Sequence, residues 1–279
     1  MAIPLTTKVT SLLATLMKSK KFKIAIAILI ISILIGIVSG SYLVYKHNRL
    51  NDYNTTISQI KDKTTDEDKK SISKKKLNFK SLKKINSDVK GWLSIPNTYI
   101  DTPVTQTKNN TFYLKHNFYK NYSFYGNAFL DYQCNDKSHL KIIYGHNMRD
   151  NAQFGTLHDL YKNPNKAKSN SMITYETSSG KSEWIVVGAY YTNGTEFAQT
   201  SEQLRNALDS NSVNSIENKT KQLDKLKNKF IYTSDVIFDE YDNYMELYTC
   251  SYQVKGQRFV VVAREKRENE LITNIDYKK

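Results

Sequence analysis

Cysteine is scarce in this chain of 279 residues, which contains only Cys134 and Cys250. A secreted fold that disulfides hold together carries several pairs, so bridges are not what stabilises this protein. One bridge between the two cysteines stays open as an alternative, and two free thiols are the favoured interpretation. Neither cysteine belongs to a Cys-x-x-Cys motif, and no spacing of cysteine and histidine matches a zinc site. We therefore expect no zinc ion, and nothing else in the sequence implies a metal or an organic cofactor.

Other signals are also missing. The sequence has no internal repeat and no Gly-x-Ser-x-Gly motif, which removes a common sign of a serine hydrolase without excluding a Ser/His/Asp triad. Acidic side chains are absent from residues 1–23, which carry five lysines, and residues 46–90 add thirteen basic against six acidic side chains. These two segments supply most of the formal net charge of +14. A nucleic-acid-binding protein would hold its basic excess on the folded domain, so we expect no nucleic-acid partner.

A long apolar run spans residues 24–45, which contain no charged side chain. Its 22 residues are about the number that a helix needs to cross a hydrocarbon core of roughly 30 Å. Lysines crowd its N-terminal flank, so the positive-inside rule favours a single-pass protein of the cell membrane with a cytoplasmic N-terminus and most of the chain outside. A cleaved signal peptide is the alternative, for which Ser39-Gly40-Ser41 offers a cleavage site.

The segments around this span suggest the domain organisation. Apolar residues first continue at helical spacing, and a polar stretch then extends to position 76. Leu82, Ile85 and Val89 predict another helix, which Gly91 is expected to end. We divide the chain into a basic cytoplasmic tail (1–23), a transmembrane anchor (24–45), an extracellular helix and linker (46–76) and a folded domain (77–279).

Short β-rich runs separated by turn residues dominate the folded domain. We predict strands at 92–95, 99–104, 128–132, 140–144, 172–176, 183–191, 244–250 and 258–264. Eight strands in a domain of this size indicate a closed or nearly closed β-barrel, or a sandwich. Apolar residues among polar ones within 201–230 predict a helical insertion before the last two strands.

Three side chains at predicted strand ends suggest the chemistry. Cys250 ends one β-rich run, and Arg258 opens the next run eight residues later. His146 follows another run, and we expect Gly145 to permit a sharp turn before it. A thiolate that attacks a carbonyl, an imidazolium that protonates the leaving amine and a fixed cation that stabilises the oxyanion perform acyl transfer through a thioester. The pattern therefore predicts Cys250, His146 and Arg258 as the catalytic residues.

These residues lie in segments that resemble one family. Leu247-Tyr248-Thr249-Cys250 resembles the end of the Thr-Leu-x-Thr-Cys signature of sortases, and Tyr144-Gly145-His146-Asn147-Met148 is similar to the histidine motif of class B sortases. Arg258 falls where the catalytic arginine of that family is expected, and segments 91–104 and 127–132 agree as well. The resemblance extends from about Leu77 to the C-terminus. Glu246 departs from the signature, which has threonine there, and Tyr248 stands where class B often has serine.

The resemblance implies a fold and a function. The fold is mainly β: an eight-stranded sortase-type β-barrel with N-terminal helices and a helical insertion before the cysteine strand. The function is that of a cysteine transpeptidase of a Gram-positive cell surface, which cleaves an Asn-Pro-x-Thr-like sorting signal of surface proteins. The acyl group passes to an amine of the peptidoglycan cross-bridge, of lipid II or of a pilin. The resemblance also implies that Asn110, Leu114, Tyr144 and Thr249 line the groove for the sorting signal.

Two other functions stay open on the sequence. A papain-like Cys/His peptidase would use the same nucleophile and base but would release its acyl group to water. A membrane-tethered adhesin without catalytic activity would keep its function after Cys250 is replaced by alanine. Ordinary loop and barrel packing is the alternative role for the four groove residues.

Overall fold

The computed structural model describes residues 19–67, 75–210, 215–250, 255–272 and 275–278. The chain divides into two compact units, residues 1–52 and residues 53–279. Part of the predicted cytoplasmic tail, part of the predicted linker and the side chain of Cys250 lie outside the described part.

A single long helix begins the described chain. Helix α1 (Lys20–Lys63) has 44 residues and contains the whole apolar run. It is the one helix in the described ranges that is long and apolar enough to cross a membrane, and the side chains of its apolar stretch are exposed. An exposed helix surface of this kind is stable only when an apolar solvent covers it, which supports the predicted transmembrane anchor.

The remaining elements belong to the second unit. The helices after α1 are α2 (Phe79–Ile85), a 3-10 turn (Phe112–Leu114), α3 (Leu157–Tyr161), α4 (Pro164–Ser169), α5 (Gly194–Leu208) and α6 (Ser215–Lys227). The strands are β1 (Thr65–Glu67), β2 (Lys75–Leu77), β3 (Val89–Ser94), β4 (Asp101–Thr105), β5 (Phe129–Leu130), β6 (Leu140–Tyr144), β7 (Met172–Thr177), β8 (Gly180–Asn193), β9 (Tyr232–Ser234), β10 (Tyr244–Cys250), β11 (Gln257–Glu265) and β12 (Tyr277–Lys278).

Eight of these strands close into a barrel. Their order around the ring is β3, β4, β5, β6, β10, β11, β8 and β7, and the pairing of β7 with β3 closes it. β9 and β12 extend from β8, whereas β1 and β2 form a separate antiparallel pair. All eight predicted strands correspond to strands of this ring, so the predicted barrel is confirmed and the sandwich is wrong. Among the strands that the structure describes, closure leaves no unpaired edge next to the predicted catalytic strands.

Strand alternation gives the barrel two apolar faces. The inner face contributes Val104, Ile143, Leu247 and Val261 to the central core. The outer face of β6, β10 and β11 contributes Leu140, Tyr244 and other residues, which pack under α5 and α6. The predicted helical insertion thus covers one outer side of the barrel as two helices, with residues 211–214 between them outside the described part.

The predicted helix ending at Gly91 is wrong in its extent. Helix α2 starts at the N-cap Asn78, whose side chain accepts a hydrogen bond from the backbone of Ser81, and it ends at Ile85. Gly91 lies inside β3, where the Tyr175 ring packs so closely that a Cβ would come within 2.4 Å of it. The glycine is therefore required by sheet packing, which a local helix-stop signal cannot reveal.

Candidate active site

Three neighbouring strands define one edge of the barrel. β10 lies between β6, to which it is parallel, and β11, to which it is antiparallel. Tyr248 pairs with Tyr144 across the parallel ladder, and Cys250 pairs directly with Arg258 across the antiparallel one. His146 and Cys250 each follow the Tyr144–Tyr248 pair by two residues. Because neighbouring strands lie about 4.8 Å apart, the backbone positions of all three predicted catalytic residues meet at this edge.

The predicted arginine faces the side of the barrel that the helices cover. Val260 and Val262 belong to the outer cluster, and Arg258 continues their alternation. Its side chain is half-buried, and Nη1 donates to the carbonyl oxygen of Gln257 at 3.1 Å. The other neighbour of Arg258 is Thr192, near the end of β8. A guanidinium is thus held at the edge with donors beyond those that its backbone contact uses.

His146 is oriented by a backbone carbonyl. Its Nε2 lies 2.7 Å from the carbonyl oxygen of Leu114. A carbonyl oxygen can only accept, so Nε2 carries the hydrogen in this arrangement and Nδ1 is the nitrogen left to exchange a proton. The segment before the histidine is bonded to the cysteine strand: Gly145 donates to the Tyr248 carbonyl at 3.1 Å, and the Thr249 hydroxyl donates to the Gly145 carbonyl at 2.8 Å.

The reason for glycine at position 145 differs from the prediction. Gly145 has no positive φ, so it makes no turn that only glycine could adopt. Instead, the buried ring of Phe154 packs on its α-carbon, and a Cβ would lie 2.5 Å from the ring. Close packing of Phe154 therefore fixes the backbone that leads to His146.

The residues predicted to bind the sorting signal fall into two groups. Asn110 and Tyr144 both donate to the same oxygen of Asp131, at 2.7 and 2.8 Å. Leu114 keeps 37% of its surface exposed while its carbonyl holds His146. Thr249 is buried, and its hydroxyl points to Gly145. The structure thus joins two of these residues through a carboxylate and ties the other two to the segment that carries the histidine.

Sequence reasoning missed the centre of this arrangement. Asp131 is 4% exposed. Its second oxygen accepts from the backbone N–H of Gln133 at 2.9 Å and from the Arg205 guanidinium at 3.4 Å. Arg205 is also buried and donates to the Gln133 side chain as well. Asp131 lies in a segment that the resemblance had already singled out, whereas Arg205, on α5, gave no local signal. Only the packing of α5 against the barrel brings this cation to the carboxylate.

An aromatic cluster lies directly below the edge. Tyr248 contacts Tyr144 with ring centroids 5.1 Å apart and Phe197 of α5 at 4.3 Å, and Phe129 stacks on Tyr144 at 5.1 Å. Burial, together with the nearby Asp131 carboxylate, raises the pKa of the Tyr144 hydroxyl far above its ordinary value. The hydroxyl therefore stays a hydrogen-bond donor at any physiological pH. Tyr248, which departs from the family pattern, is a built-in part of this cluster.

Glu246, the other departure, is fully buried beneath the same edge. Its two carboxyl oxygens accept from the Tyr190 hydroxyl and from the Ser201 hydroxyl, each at 2.9 Å. Burial raises the pKa of this carboxyl, although its hydrogen bonds and the charge of Arg205 oppose the shift. Glu246 thus links β10 to both β8 and α5.

The other thiol, that of Cys134, lies away from this edge. Cys134 is buried and free of a disulfide, with Sγ 3.3 Å from the Leu140 carbonyl. Burial raises the pKa of this thiol, which makes it a poor nucleophile. Among the described residues, no group of His, Cys, Asp and Glu side chains is arranged to hold a metal ion.

Comparisons with known proteins identify the family, since residues 93–266 match the sortase domain family. The chain is 31% identical over 190 residues to sortase B of Staphylococcus aureus, an alignment that covers 67% of this chain and 73% of that relative. The solved structure of Clostridium perfringens sortase B has a TM-score of 0.61 at 32% identity, covering 68% of this chain and all of the other. The Staphylococcus aureus sortase B–substrate complex has a TM-score of 0.59 at 30% identity, covering 68% and 85%. This chain belongs to the sortase family.

Proposed function

We propose that this chain is a membrane-anchored cysteine transpeptidase of class B type, which attaches surface proteins to a cell-wall or pilin amine. The observation that carries the proposal is the strand register. Tyr144 pairs with Tyr248, and Cys250 pairs with Arg258. This register supports a joint role in thioester chemistry for the three residues that the sequence predicts as catalytic. Relatives named sortase B, one of them solved as a substrate complex, support the same reaction.

In the first half-reaction, the thiolate of Cys250 attacks the threonine carbonyl of an Asn-Pro-x-Thr-like signal. The new C–S bond forms a tetrahedral oxyanion, which the guanidinium of Arg258 stabilises. The C–N bond then breaks, and His146 transfers a proton to the departing amine. The bond from Nε2 to Leu114 supports Nδ1 as the nitrogen that transfers this proton.

In the second half-reaction, an acceptor amine attacks the thioester while His146 takes up its proton. The new amide bond forms, the C–S bond breaks, and the thiolate is regenerated. A solved structure of sortase B is complexed with triglycine, which supports a glycine-type amine as one acceptor class. We propose the peptidoglycan cross-bridge or lipid II as its source, with a pilin lysine as the alternative.

The groove for the sorting signal is proposed to run past Asn110, Leu114, Tyr144 and Thr249. The exposed Leu114 side chain is available to an apolar part of the peptide. The bonds from Asn110 and Tyr144 to Asp131 support a role for those two in shaping the wall of the groove. Thr249 is proposed to support the floor of the groove, because its hydroxyl bonds the Gly145 carbonyl.

The membrane placement is proposed as well. Residues 24–45 would cross the membrane, residues 1–23 would stay in the cytoplasm, and the linker 46–76 would carry the catalytic domain 77–279 outside. The length and exposed apolar surface of α1 support the anchor, and the lysines before the span support its orientation.

The test uses the full chain in uncharged detergent micelles with a labelled Asn-Pro-x-Thr peptide, with and without triglycine. We expect an acyl-enzyme mass on Cys250 and an amide product that requires triglycine. The variant Cys250→Ala should lose both, whereas Cys134→Ala serves as the matched control and should keep them. Cleavage product whose amount and identity do not depend on triglycine would point to a hydrolase. Unchanged activity of Cys250→Ala would refute the proposal.

A further inference from the structure

A lysine-lined cleft lies at the end of the barrel opposite the catalytic edge. The cavity has a volume of about 580 Å³, and a second cavity of about 390 Å³ adjoins it and shares Lys83 and Ser178 with it. Its position follows from β6, because Leu140 at the start of the strand is next to the cleft, whereas His146 lies six residues further along. At about 3.3 Å per residue, the cleft is roughly 20 Å from the catalytic residues.

The charge of the cleft comes from three separate parts of the chain. Its lysines are Lys80, Lys83, Lys84, Lys90, Lys137, Lys141 and Lys181. Only two carboxylates, Asp136 and Glu265, line the same cavities. The first four lysines belong to the basic segment before residue 91, and the others come from a part of the sequence that is almost neutral overall. Folding thus adds lysines from 137–141 and 181 to a basic segment that the sequence alone associates with the membrane.

These lysines form no ion pair with a carboxylate in the described ranges. Every ion pair there involves other basic side chains, and the one hydrogen bond from a lysine of this set joins Lys141 to the Ser138 carbonyl. Seven lysines around cavities with only two carboxylates repel one another, and a bound polyanion would reduce that repulsion. The ammonium groups are therefore available to an external anionic ligand.

We propose that this cleft binds a linear phosphodiester chain with small polyol units. Lysine is a mobile point charge that suits repeated phosphates, and a trough formed by two joined cavities exceeds what a single phosphate would fill. The hydroxyls of Ser178 and Ser179 on the β7–β8 turn can bond polyol groups, whereas the Thr177 hydroxyl is already bonded to Gly180 and Ser179. Tyr175 and Trp184 also line the cleft but are almost completely buried, so they offer no ring on which a nucleic-acid base could stack.

The test measures binding of a poly(glycerol phosphate) oligomer to the full chain in uncharged detergent micelles. We expect binding that weakens as salt rises, because charge drives it. The variant Lys83→Gln/Lys137→Gln/Lys181→Gln removes one lysine from each of the three segments and should weaken binding at least about tenfold. The matched control Lys219→Gln/Lys221→Gln/Lys225→Gln removes the same charge from α6 and should change affinity less than about twofold.

Three further results would overturn the proposal: equal weakening by both variants, salt-independent binding, or tighter binding of an oligothymidylate with the same number of phosphates. Glycerophosphoglycerol, the headgroup of a phosphatidylglycerol lipid, serves as the single-phosphate probe. We expect it to bind much more weakly than the oligomer, and equal affinity would assign the cleft to a lipid headgroup instead. Transfer of the sorting peptide to triglycine should proceed in both variants, which separates this test from that of the proposed function.

Discussion

At the scale of single residues, Glu246 shows how a buried carboxyl couples the stability of the barrel to pH. Burial raises the pKa of its folded form above the unfolded value, so its contribution to stability is fully present below the unfolded pKa. That contribution is lost as pH rises through the folded pKa, because the buried group then has to ionise. The charged residues that oppose this shift are Arg205 and Lys229.

We therefore expect Glu246→Gln to stabilise the protein at neutral and alkaline pH. The amide is nearly isosteric, can still bond Tyr190 and Ser201, and cannot ionise. Thermal unfolding of both proteins across pH 4 to 9 provides the measurement, with the gain in melting temperature expected to shrink towards acidic pH. A gain that is the same at all pH values would show that ionisation of Glu246 plays no part.

Asp131 is expected to act as a positioning residue for the groove. Replacement by asparagine removes the charge that pairs with Arg205 and one acceptor site used by Asn110 and Tyr144. A displacement of a reacting group by about 1 Å can cost about a hundredfold in rate. Because the loss of Asp131 would loosen the groove, we expect kcat/KM to fall by about ten- to a hundredfold.

A double-mutant cycle distinguishes this role from a general loss of stability. Tyr144→Phe keeps the ring in its aromatic cluster and removes only the bond to Asp131. If the two residues act as a unit, Asp131→Asn should have a smaller effect on kcat/KM in the Tyr144→Phe background. Additive effects on kcat/KM would exclude coupling between the two residues.

At the scale of secondary-structure elements, local pattern predicted where the strands are but not why certain residues are in them. Short β-rich runs separated by turn residues located all eight barrel strands, because β-branched and aromatic residues favour the half-buried surface of a sheet. The sequence predicted that Gly91 and Gly145 serve special backbone conformations. In the structure, the rings of Tyr175 and Phe154 instead leave no room for a side chain at these two positions. The Asp131–Arg205 pair was out of reach as well, since its partners are 74 residues apart and meet only when α5 packs on the barrel.

Gly145→Ala tests the packing argument at the end of β6. The new methyl group would overlap the Phe154 ring, which is fully buried and has little room to move. We expect a loss of stability of about 1–3 kcal/mol. We also expect kcat/KM to fall, because the displaced backbone carries His146. Adding Phe154→Leu to the Gly145→Ala chain should restore part of the stability and part of kcat/KM. Normal activity of Gly145→Ala alone would contradict the packing argument.

At the scale of the whole molecule, the described structure combines a long exposed apolar helix with a closed barrel. We expect the full chain to remain in the membrane fraction of cells after a high-salt wash. Ile31→Arg/Leu34→Arg places two charges in the middle of the span, each costing about 2.5–3.5 kcal/mol, and should release the chain or block its insertion. Ile31→Leu/Leu34→Ile preserves the hydropathy and is the control. Protease added outside intact cells should digest the catalytic domain, whereas a protected domain would reverse the proposed orientation.

Parallel pairing of β6 with β10 also has a consequence for biosynthesis. The bond from Thr249 to Gly145 connects residues 104 positions apart. In the proposed topology, His146 is therefore translated and exported well before Cys250, its proposed catalytic partner. A partly exported chain lacks Cys250, the proposed nucleophile, and also lacks β11, which closes the ring. Closure by such distant contacts is slow. If the proposed nucleophile and orientation hold, we expect no acyl-enzyme to form on a nascent chain until almost its entire length has left the translocation channel.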